Sequence, residues 1–286
     1  MASRRSFIAG LLATGLAPRP TWADAGSPAY FSAGMTPYGR FVLCGLGADG
    51  SITFKQPLPS RGHAAAAHPS APEAVAFARR PGTYAVILDC VAGKAKAQLT
   101  APPGRHFYGH GAFSSDGALL FTTENDFQNA RGVVGVWNAR GGYKRLGEFA
   151  SGGIGPHDIK LLADGTALVV ANGGIETHPE TGRTKLNIAT MRPNLSYLSL
   201  DGSVLEQILL DDGLRKNSIR HLAVATDNTV AFAMQWQGDV TDYPPVLGIH
   251  RRGHPAQLSV STEAANRRMA GYAGSVGIAG RSVAVT

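Results

Sequence analysis

One histidine returns along this chain at a fixed phase. His63, His110 and His157 follow one another at intervals of 47 residues, and His221 comes 64 residues later, across an insertion. Each stands just ahead of a strand-and-turn pattern, in Arg61-Gly62-His63, Gly109-His110-Gly111, Pro156-His157-Asp158 and Arg220-His221-Leu222. A period of this size, made of several short strands, marks a propeller blade. Equivalent positions in successive blades surround one axis, so the chain predicts a ring of imidazoles at one end of a central channel.

The strand signals come in sets of four. In the third set His110 leads to Ser114, and a turn at Ser115-Asp116-Gly117 is followed by Ala118 to Thr123, Val133 to Trp137 and Tyr143 to Phe149. Sets starting at His157 and His221 repeat this order, and a less regular one starts at His63. Before His63 lie three strands near Ala29 to Ala33, Arg40 to Gly45 and Ile52 to Gln56, without an innermost strand of their own. A last apolar strand closes the chain at Val283 to Thr286. The composition agrees: 44% hydrophobic, 16% charged, with 36 Gly and 17 Pro in 286 residues, as in a turn-rich all-β domain. The expected fold is an all-β propeller of four-stranded blades. It is of the seven-bladed type, cut short at the C-terminus to about five and a half blades.

Residues 1–25 read as an export signal, and 26–286 as one propeller domain. Ser3-Arg4-Arg5-Ser6-Phe7-Ile8 is a twin-arginine pattern, followed by an apolar run to Leu16 and a small-residue site at Ala23-Asp24-Ala25. The run is too short to span a bilayer, so a periplasmic protein that is not an integral membrane protein is expected. The net charge is +7, and its basic residues are scattered, which argues against nucleic acid as a partner. Cys44 and Cys90 fall in apolar strands and read as two buried thiols rather than a bridge or a Cys-x-x-Cys site.

In a propeller blade the start of the first strand and the end of the second lie on one face. The strand ends carry the least ordinary polar clusters of the chain: Arg79-Arg80, Thr123-Glu124-Asn125-Asp126, Asn172 with Glu176 and His178, and Gln235-Trp236-Gln237-Gly238-Asp239. The insertion from Glu176 to Asn194 springs from the same face and is placed to form a lid. Hence His63, His110, His157 and His221 are the candidate metal ligands. Arg79, Glu124, Asn125, Asp126, Asn172, Glu176, His178, Gln235 and Asp239 are the candidate supporting or ligand-binding residues. Imidazoles beside carboxylates point to a transition metal, iron, copper or zinc. Two roles stay open for Glu124, Asp126, Glu176 and Asp239: ligands or their orienting partners, or salt-bridge partners of Arg79, Arg80, Arg131 and Arg183. Trp236 suits either ligand stacking or the core. No Gly-x-Ser-x-Gly, His-Glu-x-x-His, P-loop or Cys-x-x-Cys-His motif is present in the sequence.

These strings resemble a family of twin-arginine-exported bacterial propellers, domain of unknown function 1513. The likeness is carried by Leu58-Pro59-Ser60-Arg61-Gly62-His63, Gly109-His110-Gly111-Ala112-Phe113-Ser114 and Asn172-Gly173-Gly174-Ile175-Glu176-Thr177-His178-Pro179. Asn187-Ile188-Ala189-Thr190-Met191-Arg192-Pro193-Asn194 and Ala233-Met234-Gln235-Trp236-Gln237-Gly238 extend it. The resemblance implies a YVTN-like or WD40-like periplasmic propeller encoded near imelysin-like iron-uptake proteins, which would then be its partners. It supplies no catalytic residue. Three functions follow as expectations: an accessory protein of iron or other metal acquisition, a metal-dependent propeller enzyme of lactonase-like or quinoprotein-like type, and a metal-free interaction scaffold.

Overall fold

The computed structural model describes residues 20–79, 82–182, 184–259 and 262–286. The twin-arginine segment, Arg80 and Arg183 lie outside them.

The chain folds as a β-propeller of antiparallel sheets. Four sheets have four strands each. They are β4 (Gly62–Ala67) to β7 (Lys94–Thr100), β8 (Arg105–Phe113) to β11 (Lys144–Ala150), β12 (Pro156–Leu161) to β15 (Val204–Leu209), and β16 (Asn217–Val224) to β19 (Gln257–Leu258). Between these bounds lie β5 (Glu73–Ala78), β6 (Tyr84–Asp89), β9 (Leu119–Asp126), β10 (Arg131–Asn138), β13 (Leu168–Asn172), β14 (Asn194–Leu198), β17 (Val230–Trp236) and β18 (Leu247–His250). Each sheet runs in sequence order from an inner to an outer strand. A three-stranded sheet precedes them, β1 (Tyr30–Met35), β2 (Phe41–Leu46) and β3 (Ile52–Pro57). A hairpin of β20 (Val276–Ala279) and β21 (Ser282–Val285) follows.

Strand direction places the first sheet. The short connection from β3 into β4 corresponds to the one from β7 into β8, so β3 is an outermost strand. The end of β1 meets the start of β4, where a Cβ on Gly62 would stand 3.0 Å from the Ala33 side chain. β1 is therefore a second strand, and among the described residues no strand lies inside it, as the sequence suggests.

Burial follows radial position. Second strands are covered by neighbouring blades on both faces, and β13 is buried at every residue. Outer strands keep one face in water, as β11 and β15 do. The core therefore lies between blades. One cluster joins Leu195 and Tyr197 to Ile219, Phe232 and Met234, and another joins Phe77 and Ile87 to Phe107, Leu120 and Trp137. The hairpins away from the histidine face are closed by aspartate. Asp116, Asp164 and Asp227 accept from the backbone N–H two residues on, at 2.9, 3.0 and 3.1 Å. This is the Asx-turn chemistry expected of Asp-Gly and Asp-Asn.

Three elements have no counterpart in the sequence reading. β7 gives no strand signal, because it is polar and only Leu99 in it is buried, and β20 is a short strand with alternate residues exposed. A helix, α1 (Glu263–Met269), joins β19 to the last hairpin. Thr262 caps it by accepting from Ala265 N–H, and Arg267 pairs with Glu263 one turn back at 2.7 Å. Both cysteines are free thiols, Cys90 buried and Cys44 half-buried.

Candidate metal centre

The four repeated histidines meet at the axis. Ring centroids are 5.0 Å apart for His63 and His110, 5.7 Å for His63 and His157, and 5.3 Å for His110 and His157. His221 lies 4.8 Å from His157 and 5.7 Å from His110. His63, His110 and His157 each offer a ring nitrogen within 4.8 Å of the others.

A local device in each inner strand brings them there. The pairing register between first and second strand breaks between Gly62 and Ala65, Phe107 and Gly111, and Pro156 and Asp158. The three histidines sit in these breaks, outside the ladder. A bulge frees a side chain from the alternation between blade faces and re-aims it, here along the axis. Gly109 makes room for the arrangement. Its φ is +105°, and a Cβ there would stand 2.4 Å from the His63 ring.

In the next blade the break falls between Ile219 and His221, so Arg220 is the residue outside the ladder. His221 is back in register, opposite Ala233. The nitrogens that converge are those of His63, His110 and His157, and His221 packs beside them.

Burial sets the protonation of the rings. His63 is pushed down to about 3, by burial first and then by the charges of His110, His221, Arg79 and Arg220. His157 is driven far below imidazole's usual value by burial, with Arg220 adding to it. His221 falls to about 4 through burial, partly offset by Asp158. Neutral imidazole is the form that binds metal. His110 Nδ1 lies 3.0 Å from Asp158 Oδ1. Donation to that carboxylate leaves Nε2 as its available nitrogen. Burial raises the Asp158 carboxyl, but the His110 and Lys160 charges and the Leu222 N–H outweigh it and hold it below the usual range. His110 Nε2 and His157 Nε2 are buried and have no hydrogen-bond partner among the described residues.

A cavity of about 420 Å³ adjoins the rings, with His63 and His157 in its wall. Arg79 from the end of β5, Gln235 from the end of β17 and His178 and Lys185 from the insertion line it too, as does Arg220. The insertion thus forms a wall of the cavity. His178 is itself held at its own turn, where Nδ1 accepts from Glu180 N–H at 3.3 Å, and it packs on Phe127 at 4.9 Å.

The carboxylates and amides placed beside the rings by strand position are committed elsewhere. Glu124 takes Arg145 at 2.7 and 2.9 Å and Thr122 at 2.9 Å. Asp126 takes Arg131 at 2.8 Å and Asn129 at 3.0 Å. The salt-bridge role therefore applies to both, with Arg145 as Glu124's main partner. The reason is that β9 stays in register to Asp126, so these side chains follow the pleat onto the blade faces. Asn125 donates to the Thr177 carbonyl and to His106 Nε2, both at 3.1 Å. Asn172 is tied to Asn194 and Ser196 in its own blade and to Ser151 at the end of the preceding one. Asp239 closes a surface turn by accepting from Thr241 at 2.9 and 2.6 Å. Glu176 is fixed through its backbone N–H, which donates to Asn187 at 2.7 Å. The Trp236 indole N–H folds back onto the Asp239 carbonyl at 2.8 Å, so Trp236 is neither a cavity wall nor deep core. Asp158 and Arg220 are the residues that sequence reasoning passed over. Both stand next to a repeated histidine.

Fold and site together define a propeller whose inner-strand bulges carry imidazoles beside a basic cavity. The chain belongs to the DUF1513 family, described as proteins of unknown function, whose family model matches residues 56–286. The curated proteins contain no match to it. Among solved structures, Kuenenia stuttgartiensis hydrazine synthase is similar in fold, with a TM-score of 0.56 at 13% identity. That likeness covers 81% of this chain and 65% of the other. Among the described residues no helix is long and apolar enough to cross a membrane.

Proposed function

We propose that this chain is an exported metal-binding propeller, with His63, His110 and His157 as ligands and one coordination position open toward the cavity. The observation that carries the reading is the pair of buried ring nitrogens, His110 Nε2 and His157 Nε2, left without partners. A buried polar atom without a partner costs about 1–3 kcal/mol, and a bound ion removes that cost at both. Dimensions support it. A tetrahedral ion with metal–nitrogen distances near ~2.1 Å sets its ring centroids about 5 Å apart, against the observed 5.0, 5.3 and 5.7 Å. Its nitrogens stand about 3.4 Å apart, so loading draws the rings inward from the present limit of 4.8 Å. Asp158 plays the orienting part that carboxylates take behind ligating histidines.

With the expected carboxylates engaged elsewhere, the donor set is imidazole alone. That suits zinc or copper at least as well as iron. The use we propose is in metal acquisition in the periplasm, with iron-uptake proteins of the imelysin-like kind as partners. A second reading is favoured by the cavity: three protein ligands and an open position are what a catalytic zinc site keeps, and a metal there would polarise a bound substrate.

The test is metal content by mass spectrometry on protein exported in its native host, beside a His110→Ala/His157→Ala double variant. One equivalent of metal, lost in the double variant, is expected. Absence of metal from both would remove the reading.

A further inference from the structure

Five of the sheets end in an outermost strand whose far side has no neighbouring strand among the described residues. Such an edge offers a row of unpaired N–H and C=O groups to any extended chain, and proteins guard it with lysine, proline or shortness. Four of the five follow that rule. β3 carries Lys55 and Pro57, β7 Lys94 and Lys96, β11 Lys144 and Arg145, and β19 has only two residues. β15, Val-Leu-Glu-Gln-Ile-Leu over 204–209, has none of these guards. Its bulge does not set it apart. The register shifts by one residue in β3, β7 and β11 as it does at Leu205 in β15.

The exposed side chains of β15 are mainly apolar. Val204, Leu205 and Leu209 are 58%, 43% and 56% exposed. Its one charge is already engaged. Glu206 accepts from Gly253 N–H at 3.0 Å and lies 3.7 Å from His250. Gln207 donates to the Gly152 carbonyl at 2.6 Å. Both polar side chains thus fold onto chain segments beside the blade.

Sequence and charge together name the occupant. Laid antiparallel on a second copy about a two-fold axis, the strand pairs Val204 with Leu209, Leu205 with Ile208 and Glu206 with Gln207. The first two pairs are apolar, and the third sets a carboxylate opposite an amide, so no like charges meet within the strand. The same register brings Asp201 of one copy to Asp212 of the other. Asp212 is paired with Arg192 at 2.5 Å, and Asp201 accepts from Ser203 N–H at 3.1 Å in its own turn. A guanidinium therefore accompanies the two carboxylates at each end. β1 has an open side as well, but that side faces the axis and not the rim.

We infer that the chain forms a two-fold dimer through β15, in which the two four-stranded sheets of the fourth blade join edge to edge. The contact lies on the outer rim and uses no residue of the metal centre, so it is independent of the metal reading.

The experiment is sedimentation velocity on the full chain from low to high micromolar concentration. A monomer–dimer equilibrium is expected. Leu205→Lys and Leu209→Lys each place a charge on the edge, and each counts twice in a two-fold contact. Either should weaken the dimer by about 10- to 100-fold. Leu146→Lys, at a 60% exposed position on the guarded strand β11, should leave it unchanged. The register is read by cysteine pairing. A mixture of Val204→Cys and Leu209→Cys proteins should cross-link under mild oxidation, because opposed Cα atoms stand about 4.5–5.5 Å apart, and neither protein alone should do so. A monomer at every concentration, a dimer that survives both β15 lysine variants, or a mixture that cross-links no more than its components overturns the inference.

Discussion

Two polar groupings in this molecule each bury charged or titratable side chains, Glu124 and Asp126 in one and His110 and His157 in the other, and differ in what they lack. In the third blade Glu124, Arg105, Arg145 and Glu148 form a network joined to Asp126 and Arg131. Arg145 bridges Glu124 and Glu148 at 2.7 and 2.9 Å, and Trp137 donates to Thr122, which donates to Glu124. Gly135 is required for it, because a Cβ there would stand 2.0 Å from Glu124 Oε1. At the axis, by contrast, His110 and His157 each bury a ring nitrogen that nothing among the described residues answers. The network fastens its outer strands to the blade. The axial rings carry a cost with no structural return. Burial and polarity do not mark a site on their own; here two unanswered ring nitrogens lie side by side at the axis, whereas the other unpartnered buried atoms, on Thr53, Gln56 and Asn217, belong to no histidine cluster.

Opposite responses to substitution would sharpen that contrast. The largest effect belongs to Glu124→Gln, which takes the buried carboxylate from Arg145 while Glu148 still pairs with Arg105 and Arg145. Urea unfolding should show a loss of about 1–3 kcal/mol, with metal content unchanged. A loss below about 1 kcal/mol would mean that the network is not structural. Next comes Asp158→Asn, which should weaken metal binding about 10- to 100-fold in a competition titration and change stability less than Glu124→Gln does. Equal metal affinity in both proteins would remove Asp158 from the site.

Acid separates the two regions further. His63, His157 and His221 resist protonation when folded, with His221 down to about 4 from 6.5, His63 to about 3 and His157 far below its usual value. Between these values and 6.5 the unfolded chain binds protons that the folded chain refuses. Stability of the metal-free protein is therefore full above about pH 6.5 and falls as the pH drops toward 4. Melting temperatures at pH 7 and pH 5 should differ by several degrees, and the gap should narrow in His157→Leu. An unchanged gap in that variant would assign the acid sensitivity elsewhere. The smallest effect is that of His157→Leu itself on metal-free protein at pH 7. Trading an unanswered nitrogen for an apolar group should shift stability by less than about 1 kcal/mol, whereas metal binding is abolished.

The blades were legible because their second strands carry apolar runs, as in Leu119–Phe121, Leu168–Ala171 and Val230–Met234, and their turns use aspartate at fixed offsets. β7 was not, since a strand with one side in water and only Leu99 buried carries little apolar signal. α1 rests on a cap and one ion pair rather than on an apolar stripe. At the site, the histidine period was enough to place the rings, because a repeat maps phase onto axis. The carboxylates misled. A strand's end can be assigned to a face of the propeller from topology, but whether its side chain looks inward depends on register. Glu124 and Asp126 keep register and Arg220 loses it. No residue type announces that break, and a bulge one residue before His221 replaces an expected imidazole with a guanidinium.

The inner-strand bulges also divide the labour of the chain. Blade cohesion comes from residues in the ladder and in the seams between sheets, while the residues facing the axis belong to neither. They act as sockets. Changing an occupant, imidazole to guanidinium or the reverse, rewires the centre without asking the blade to refold around it. In such an architecture the chemistry at the axis is adjustable one blade at a time.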